Sequence, residues 1–304
     1  MKGIELSRRF YEEYGQKMID EKFPDYSDKI AIGIAGKGSD CFGYDDEISR
    51  DHDFGPGFII WLKGKDYDDL SFRLFREYEK LPKEYMGFKR ESSSFFGTGK
   101  FGVKSIEGFL LEYIGHKEVP KTNIDWYRIP DHSLATVTNG EVFIDNSGEF
   151  SAIREKIKNE MPEDVWLKKI AKAAIFMAQS GQYNYKRCLD HNEPVAAFMA
   201  LSEFINSTAH MVHLLNRKHA PFYKWIIRNM KDLKVLSDLV TDLEYLVKNP
   251  ESAFGKVEKV SSKVINEMKK QGLTNGEWDY LEPHAYEVLK KVQNSELKSL
   301  HIMD

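Results

Sequence analysis

The chain contains 304 residues, of which 41% are hydrophobic and 30% are charged, and its 48 acidic and 44 basic residues give a formal net charge of −4. This composition predicts packed domains and argues against a disordered protein. The mildly acidic balance argues against broad electrostatic binding to nucleic acid. With only two cysteines, Cys41 and Cys188, the sequence gives no indication of a disulfide framework or a cysteine-rich zinc site.

The ends of the chain and its apolar runs bear on localisation. The first ten residues are charged and lack the apolar core of a signal peptide. The longest apolar runs, such as 58–62, are much shorter than the roughly 20 residues with which a helix crosses a bilayer. We therefore expect a cytoplasmic protein without a membrane partner. Its length allows two domains of ordinary size.

Hydrophobic periodicity predicts a mixed arrangement of helices and strands in the first half of the chain. The predicted helices are 4–20, 66–80 and 109–114, and the predicted strands are 28–35, 58–62 and 101–106. Asn139 and Gly140 form a dipeptide that favours tight turns between strands, so we expect a hairpin over 136–144. The segment 92–100 lacks the spacing of a glycine-rich phosphate loop and is interpreted as a mobile lid.

The pattern changes near residue 150, after which almost the whole chain has a helical period. Several prolines lie at or just before the predicted helix starts, where proline is tolerated. The predicted helices are 149–159, 163–180, 194–218, 221–229, 232–248, 251–271 and 283–298. The sequence thus predicts an α+β protein in which a small mixed-sheet domain, 1–150, precedes an all-helical bundle domain, 151–304.

The most informative motif combines a turn at Gly38 and Ser39 with two acids, Asp51 and Asp53. A glycine-serine turn after a strand offers backbone N–H groups and a hydroxyl to phosphate oxygens. Alternate residues of a strand share one face, where two carboxylates repel each other unless a cation lies between them. Hard oxygen ligands suit Mg²⁺. The simpler interpretation, an ordinary turn followed by solvated acids, stays open at this point.

The string 38–56 resembles the nucleotidyltransferase superfamily with a polymerase-beta-like fold, and within it a bacterial branch of unknown function related to antibiotic nucleotidyltransferases. The segments 140–145, 182–187 and 216–225 are similar too, so the resemblance covers most of the chain. It implies a small mixed sheet followed by a helical bundle. It also implies Mg²⁺-dependent transfer of a nucleoside monophosphate from a nucleoside triphosphate to an acceptor hydroxyl.

Active members of that superfamily usually carry a third carboxylate on a neighbouring strand, where it completes the metal site or acts as the base. Glu107, which follows the predicted strand 101–106, is the first candidate for this role. Asp145, at the end of the predicted hairpin, is the second. If neither carboxylate reaches the metal, the chain is a catalytically weak nucleotide-binding or regulatory module.

Two cations, Lys37 and Arg50, flank the proposed phosphate site. Each is expected either to contact the triphosphate or to pair with the acids at 45–47, which we interpret as a solvated loop. His52 lies between the two aspartates, so on a strand it faces away from them and is interpreted as structural.

The helical half contains fewer residues with a chemical signature. The polar and aromatic cluster 183–187 is interpreted as lining a cleft. Arg187 of this cluster and the following His191 are too close together in sequence for a known RNase motif. His210 and His213 share a helix face and form either a metal-binding pair or, more simply, a buried or half-exposed pair. The acidic balance favours a small-molecule acceptor over a long nucleic acid.

Overall fold

The computed structural model describes residues 1–50, 54–90 and 99–304, with the side chain of Arg50 left out of the description. The described helices, in chain order, are α1 (Gly3–Phe10), α2 (Gln16–Lys22), α3 (Gly64–Glu79), α4 (Ile106–Ile114), α5 (Asn123–Arg128), α6 (Asp131–Thr138), α7 (Glu149–Asn159), α8 (Glu163–Met177), α9 (Lys186–Asp190), α10 (Pro194–Leu215), α11 (Tyr223–Met230), α12 (Leu239–Lys248), α13 (Phe254–Lys270), α14 (Leu281–Lys290) and α15 (Ser295–Ser299). The described strands are β1 (Ala31–Ile34), β2 (Ile59–Leu62), β3 (Glu84–Tyr85), β4 (Phe88–Lys89), β5 (Gly102–Ser105) and β6 (Glu141–Asp145).

The chain forms two compact units. The first contains residues 1–119 and 133–160, and the second contains 120–132 and 161–304. The first unit holds a mixed sheet, and the second is built from helices, so the α+β class predicted from the sequence is confirmed. The units assign α7 to the sheet, whereas the boundary predicted near residue 150 assigns it to the helical domain. None of the described helices is long and apolar enough to cross a membrane.

A four-stranded sheet with the order β5-β2-β1-β6 organises the first unit. β1 is antiparallel to both of its neighbours, and β2 and β5 are parallel. All four residues of β1 and of β2 are buried, which explains why both strands are continuous apolar runs rather than alternating ones. α7 covers the sheet through Phe150, whose ring centroid lies 4.3 Å from that of Trp61 in β2.

The hairpin expected over 136–144 is wrong. α6 occupies its first half, and only β6 is a strand, which pairs with β1 rather than with its own preceding residues. Leu134, Ala135 and Val137 of α6 are buried, a spacing that fits one face of a helix. Asn139 and Gly140 still turn the chain, but the turn joins a helix to a strand.

Gly33 lies where β1 and β6 approach each other closely. A Cβ atom on this residue would lie 2.2 Å from the carbonyl oxygen of Glu141 and 2.8 Å from the Cα of Val142. Because the obstructing atoms belong to the backbone, the sheet itself would have to move.

We expect Gly33→Ala to lower the free energy of unfolding by about 1–3 kcal/mol, the usual cost of forcing extra volume into a packed site. Urea unfolding monitored by circular dichroism measures this change. Gly255→Ala in α13 is the matched control, because its Cβ would meet no atom within 4 Å. The control is expected to raise stability by up to about 1 kcal/mol through helix propensity. Equal effects of the two substitutions would contradict the close approach.

In the second unit, α8 packs against both α10 and α14. These two helices also contact the π-helical segment that continues α8. α10 begins at Pro194, as the sequence predicts, because proline lacks only an N–H group that the first turn does not use. The helix expected over 232–248 begins only at Leu239, because Leu236 adopts a positive φ of 59° that ends any earlier helical turn.

Candidate functional site

The two aspartates on which the sequence analysis depends, Asp51 and Asp53, lie outside the described residues. The same holds for His52, for residues 92–98 of the expected lid and for the side chain of Arg50. The assignment of Asp51 and Asp53 as metal ligands therefore stays a prediction. Among the described residues, no group of three or more His, Cys, Asp or Glu side chains is arranged to hold a metal ion.

The glycine-serine turn lies directly after β1, at the end of this central strand. Gly36 and Gly38 both adopt positive φ angles, 113° and 119°, which side-chain-bearing residues rarely adopt. A Cβ on Gly38 would lie 2.4 Å from Oδ1 of Asp40 and 2.9 Å from Nζ of Lys100. The sequence therefore needs glycine at position 38 for both backbone conformation and space.

Ser39 adopts helical φ and ψ angles and precedes a short 3-10 turn, Asp40–Phe42. Its hydroxyl does not cap this turn and has no hydrogen-bond partner in the described part of the chain. The carboxylate of Asp40, the first residue of this turn, accepts a hydrogen bond from the backbone N–H of Cys41 at 2.9 Å. The half-buried Ser39 hydroxyl is thus available to a ligand.

A buried ion pair lies against the turn. Nζ of Lys100 contacts Oδ2 of Asp40, and the two side chains are only 9% and 5% exposed. Burial raises the pKa of the neighbouring Cys41 thiol, and the charge of Asp40 raises it further. Lys100 was not among the predicted site residues, because the segment that contains it was interpreted as a lid. The available signal was a lysine placed directly before the apolar start of β5.

The turn is held in place by the residues that were expected to form a hairpin. The Asn139 side chain accepts a hydrogen bond from the backbone N–H of Gly36 at 2.9 Å and donates one to its carbonyl at 2.8 Å. Gly140 donates to the carbonyl of Cys41 at 2.7 Å. The buried guanidinium of Arg154 donates to the carbonyl of Asn139. Such bracing fixes the backbone N–H groups of the turn in one orientation.

Glu107 is separated from the turn by the length of the sheet. Gly33 of β1 lies opposite Ile59, so the end of β1 lies beside the start of β2. Because β5 is parallel to β2, β5 ends at the end of the sheet opposite to the turn. Glu107 follows that end of β5. There its carboxylate accepts hydrogen bonds from the backbone N–H of Gly64 at 3.1 and 3.3 Å. Glu107 therefore caps α3, and the structure does not bring it to the turn.

Asp145 lies at the same end of the sheet as Glu107, the end opposite to the turn. It is opposite Ala31, the first residue of β1, whereas the turn follows the last. Its carboxylate accepts hydrogen bonds from the backbone N–H groups of Gly148 at 3.1 Å and Ser151 at 2.7 Å. These bonds satisfy the start of α7, so a structural role accounts for this residue.

The charged residues near the turn have partners that the sequence did not reveal. Nζ of Lys37 lies 3.6 Å from Glu112, not beside the acids at 45–47, and its side chain is 78% exposed. Asp45 is buried rather than solvated, and its carboxylate accepts a hydrogen bond from the backbone N–H of Gly3 at 3.0 Å. Asp45 therefore caps α1 at its first residue.

The two histidines of α10 have separate environments, which favours the simpler of the two expectations. His213 is fully buried, with Nδ1 2.7 Å from the carbonyl oxygen of Ala209 and Nε2 3.0 Å from Oδ1 of Asn229. Burial lowers the pKa of His213. His210 instead lies near Asp131, with 3.7 Å between Nδ1 and Oδ2.

Comparison with known proteins gives three findings. Residues 126–226 match the family described as a domain of unknown function, DUF4037. No curated protein matches the chain. Among solved structures, the chain is similar to a nucleotidyltransferase-like protein from Exiguobacterium sibiricum 255-15. That match has 10% sequence identity, covers 92% of this chain and 81% of that chain, and has a TM-score of 0.38.

Proposed function

We propose that this protein is a magnesium-dependent nucleotidyltransferase, which moves a nucleoside monophosphate from a nucleoside triphosphate to a hydroxyl group on a small molecule. The observation that carries the proposal is the turn at Gly38 and Ser39. It combines a glycine in a positive-φ conformation, a serine hydroxyl without a hydrogen-bond partner among the described residues, and the buried ion pair of Lys100 with Asp40.

Each part of the turn has a defined task in binding a triphosphate. The missing side chain of Gly38 lets the Asp40 and Lys100 side chains lie against the backbone of the turn. The backbone N–H groups and the Ser39 hydroxyl are donors for phosphate oxygens. The ammonium group of Lys100 lies beside them, where it is paired with the Asp40 carboxylate. Because Asn139 braces the backbone, these donors are already oriented before the ligand binds.

Asp51 and Asp53 are proposed to hold Mg²⁺, since two carboxylates two residues apart form a donor set of hard oxygens that suits this ion. They precede β2, whose start lies beside the end of β1 and therefore at the edge of the sheet where the turn follows. When bound, Mg²⁺ supplies neutralising charge to the phosphate groups and to the pyrophosphate that leaves.

One observation favours a second candidate function, a module that binds nucleotide without transferring it. Glu107 and Asp145 cap helices at the opposite edge of the sheet. The segment 99–105, which includes β5, contains no carboxylate, and the side chain that it brings to the turn is that of Lys100. Within the described residues, such a site offers donors for a triphosphate but no base for the acceptor hydroxyl.

Transfer of a labelled nucleotide tests the proposal. The full-length protein is incubated with each α-³²P-labelled triphosphate, Mg²⁺ and a cell extract that is divided by ultrafiltration into small-molecule and macromolecular fractions. We expect label to enter the small-molecule fraction, to be lost when EDTA removes Mg²⁺, and to return when excess Mg²⁺ is added. Label in the macromolecular fraction would contradict the small-molecule acceptor.

Calorimetric titration with ATP separates the two candidate functions. Saturable ATP binding without transfer from any triphosphate to either fraction supports the binding module. An absence of both binding and transfer would contradict both functions and the assignment of the turn.

A further inference from the structure

The second unit contains a cavity of about 480 Å³, a volume suited to a small organic ligand. It is an open pocket lined by the segment 127–131, which joins α5 to α6, and by one face each of α8 and α10. All of its lining residues belong to the helical unit, and all lie within residues 126–226, which match DUF4037.

The wall formed by α8 is positively charged. Lys169, Lys172 and Phe176 line the cavity and recur at intervals of three and four residues, so they share one helix face. Lys172 is half-buried, and its Nζ lies 6.0 Å from the ring centroid of Phe176. Within the described residues, neither Lys172 nor Arg128 at the exposed rim forms an ion pair. Both charges are therefore available to a ligand.

Asp131 does not neutralise those two cations, because it is occupied elsewhere. Its carboxylate lies 2.5 Å from Nζ of Lys169, and both side chains are largely buried, 12% and 9% exposed. Burial opposes ionisation of Asp131, but the charge of Lys169 and the contact with His210 hold its pKa below the usual range. Asp131 and Lys169 thus cancel each other as a fixed part of the wall.

The opposite wall, on α10, is polar and carries less charge than the wall formed by α8. Glu203, Asn206 and His210 recur at intervals of three and four residues and line the cavity. The Glu203 carboxylate accepts a hydrogen bond from the hydroxyl of Ser207 at 2.7 Å and keeps further acceptor capacity. The exposed Asn206 amide makes no hydrogen bond within the described chain. This wall suits the hydroxyl or amino groups of a ligand.

We propose that this cavity binds a small organic anion, in which a carboxylate or phosphate group contacts Arg128 and Lys172 and hydroxyl or amino groups contact Glu203 and Asn206. Charge-assisted hydrogen bonds of this kind are stronger than neutral ones, and the guanidinium fork matches the geometry of either anion. The site belongs to the helical unit and does not depend on nucleotidyl transfer.

Calorimetric titration of the full-length protein tests this site, with inorganic phosphate and succinate as separate probes at constant ionic strength. We expect saturable binding of at least one probe, and the probe that binds identifies the anion as phosphate or carboxylate. Lys172→Met keeps the aliphatic stem of the side chain and is expected to weaken binding about tenfold, through loss of one charged hydrogen bond. Lys259→Met, at an exposed position of α13, is the matched control and should bind as the wild type does.

Arg128→Gln provides a second variant whose folding is not in question, because Arg128 is exposed and has no ion-pair partner among the described residues. It is also expected to weaken binding about tenfold. Saturation by neither probe would overturn the proposal. So would binding that both variants retain at wild-type strength. Phosphate binding that is lost in Gly38→Ala but kept in Lys172→Met belongs to the turn of the first unit and would equally overturn it.

Discussion

Asp51→Asn is expected to reduce nucleotidyl transfer by about a hundredfold or more, the usual consequence of removing one element of charge stabilisation from a reacting phosphate. The amide has nearly the size of the carboxylate but carries no charge, so it is a poor ligand for Mg²⁺. Asp53→Asn should have a similar effect, because both carboxylates are proposed to hold the same ion. The rate of label transfer at saturating triphosphate and Mg²⁺ measures the change.

Asp69→Asn is the matched control for these variants. Asp69 is an exposed acid on α3 in the same unit, and it makes no hydrogen bond or ion pair within the described residues. The control should transfer label at the wild-type rate. Thermal unfolding of all three variants checks that the folded fraction is unchanged. Transfer that survives in Asp51→Asn at more than half of the control rate would remove Asp51 from the site.

Asp131→Asn is expected to lower the free energy of unfolding by about 3–5 kcal/mol, since breaking a buried pair leaves the other charge uncompensated. Here the remaining charge is the ammonium group of Lys169, whose side chain is 9% exposed. Urea unfolding of the full-length protein measures the loss. The matched control is Asp190→Asn, because Asp190 pairs with Lys186 on the exposed surface of α9. Exposed pairs of this spacing contribute only about 0.3–0.5 kcal/mol.

The effect of Asp131→Asn should depend on pH in a defined direction. The folded-state pKa of Asp131 lies below its unfolded value, which is about 3.9 for a free aspartate. The ion pair therefore contributes its full stability above about pH 4 and loses it as the pH falls towards the folded-state pKa. The stability difference between wild type and variant should shrink as the pH falls below about 4. A difference that grows below about pH 4 would contradict the assigned charge state.

The sheet shows what the sequence predicts well. β1 and β2 are recognisable because they are buried on both faces and therefore read as unbroken apolar runs. The stretch before β6 was misread, because Asn139 and Gly140 have the same local signature in a hairpin and in a turn between a helix and a strand. The contacts that decide between them, from Asn139 to the backbone of Gly36, join residues about a hundred positions apart.

The candidate site divides in the same way. The turn at Gly38 and Ser39 was predictable, because glycine is the residue that readily adopts the positive φ found there. The neighbouring Lys100 was not, because it comes from a segment 60 residues away in the chain. Glu107 follows a strand, as the third carboxylate was expected to do. Sequence order does not reveal whether that strand ends near the turn or at the opposite end of the sheet.

The buried Cys41 thiol lies beneath the turn, where its Sγ is 3.5 Å from the carbonyl oxygen of Lys37. Because its pKa is raised by burial, it reacts with alkylating reagents only when the backbone around it opens. Cys188, the other cysteine, is more accessible. Cys41 is thus a built-in chemical probe of local opening: after Cys188 is replaced by serine, the alkylation rate of Cys41 reports how often the backbone of the turn opens.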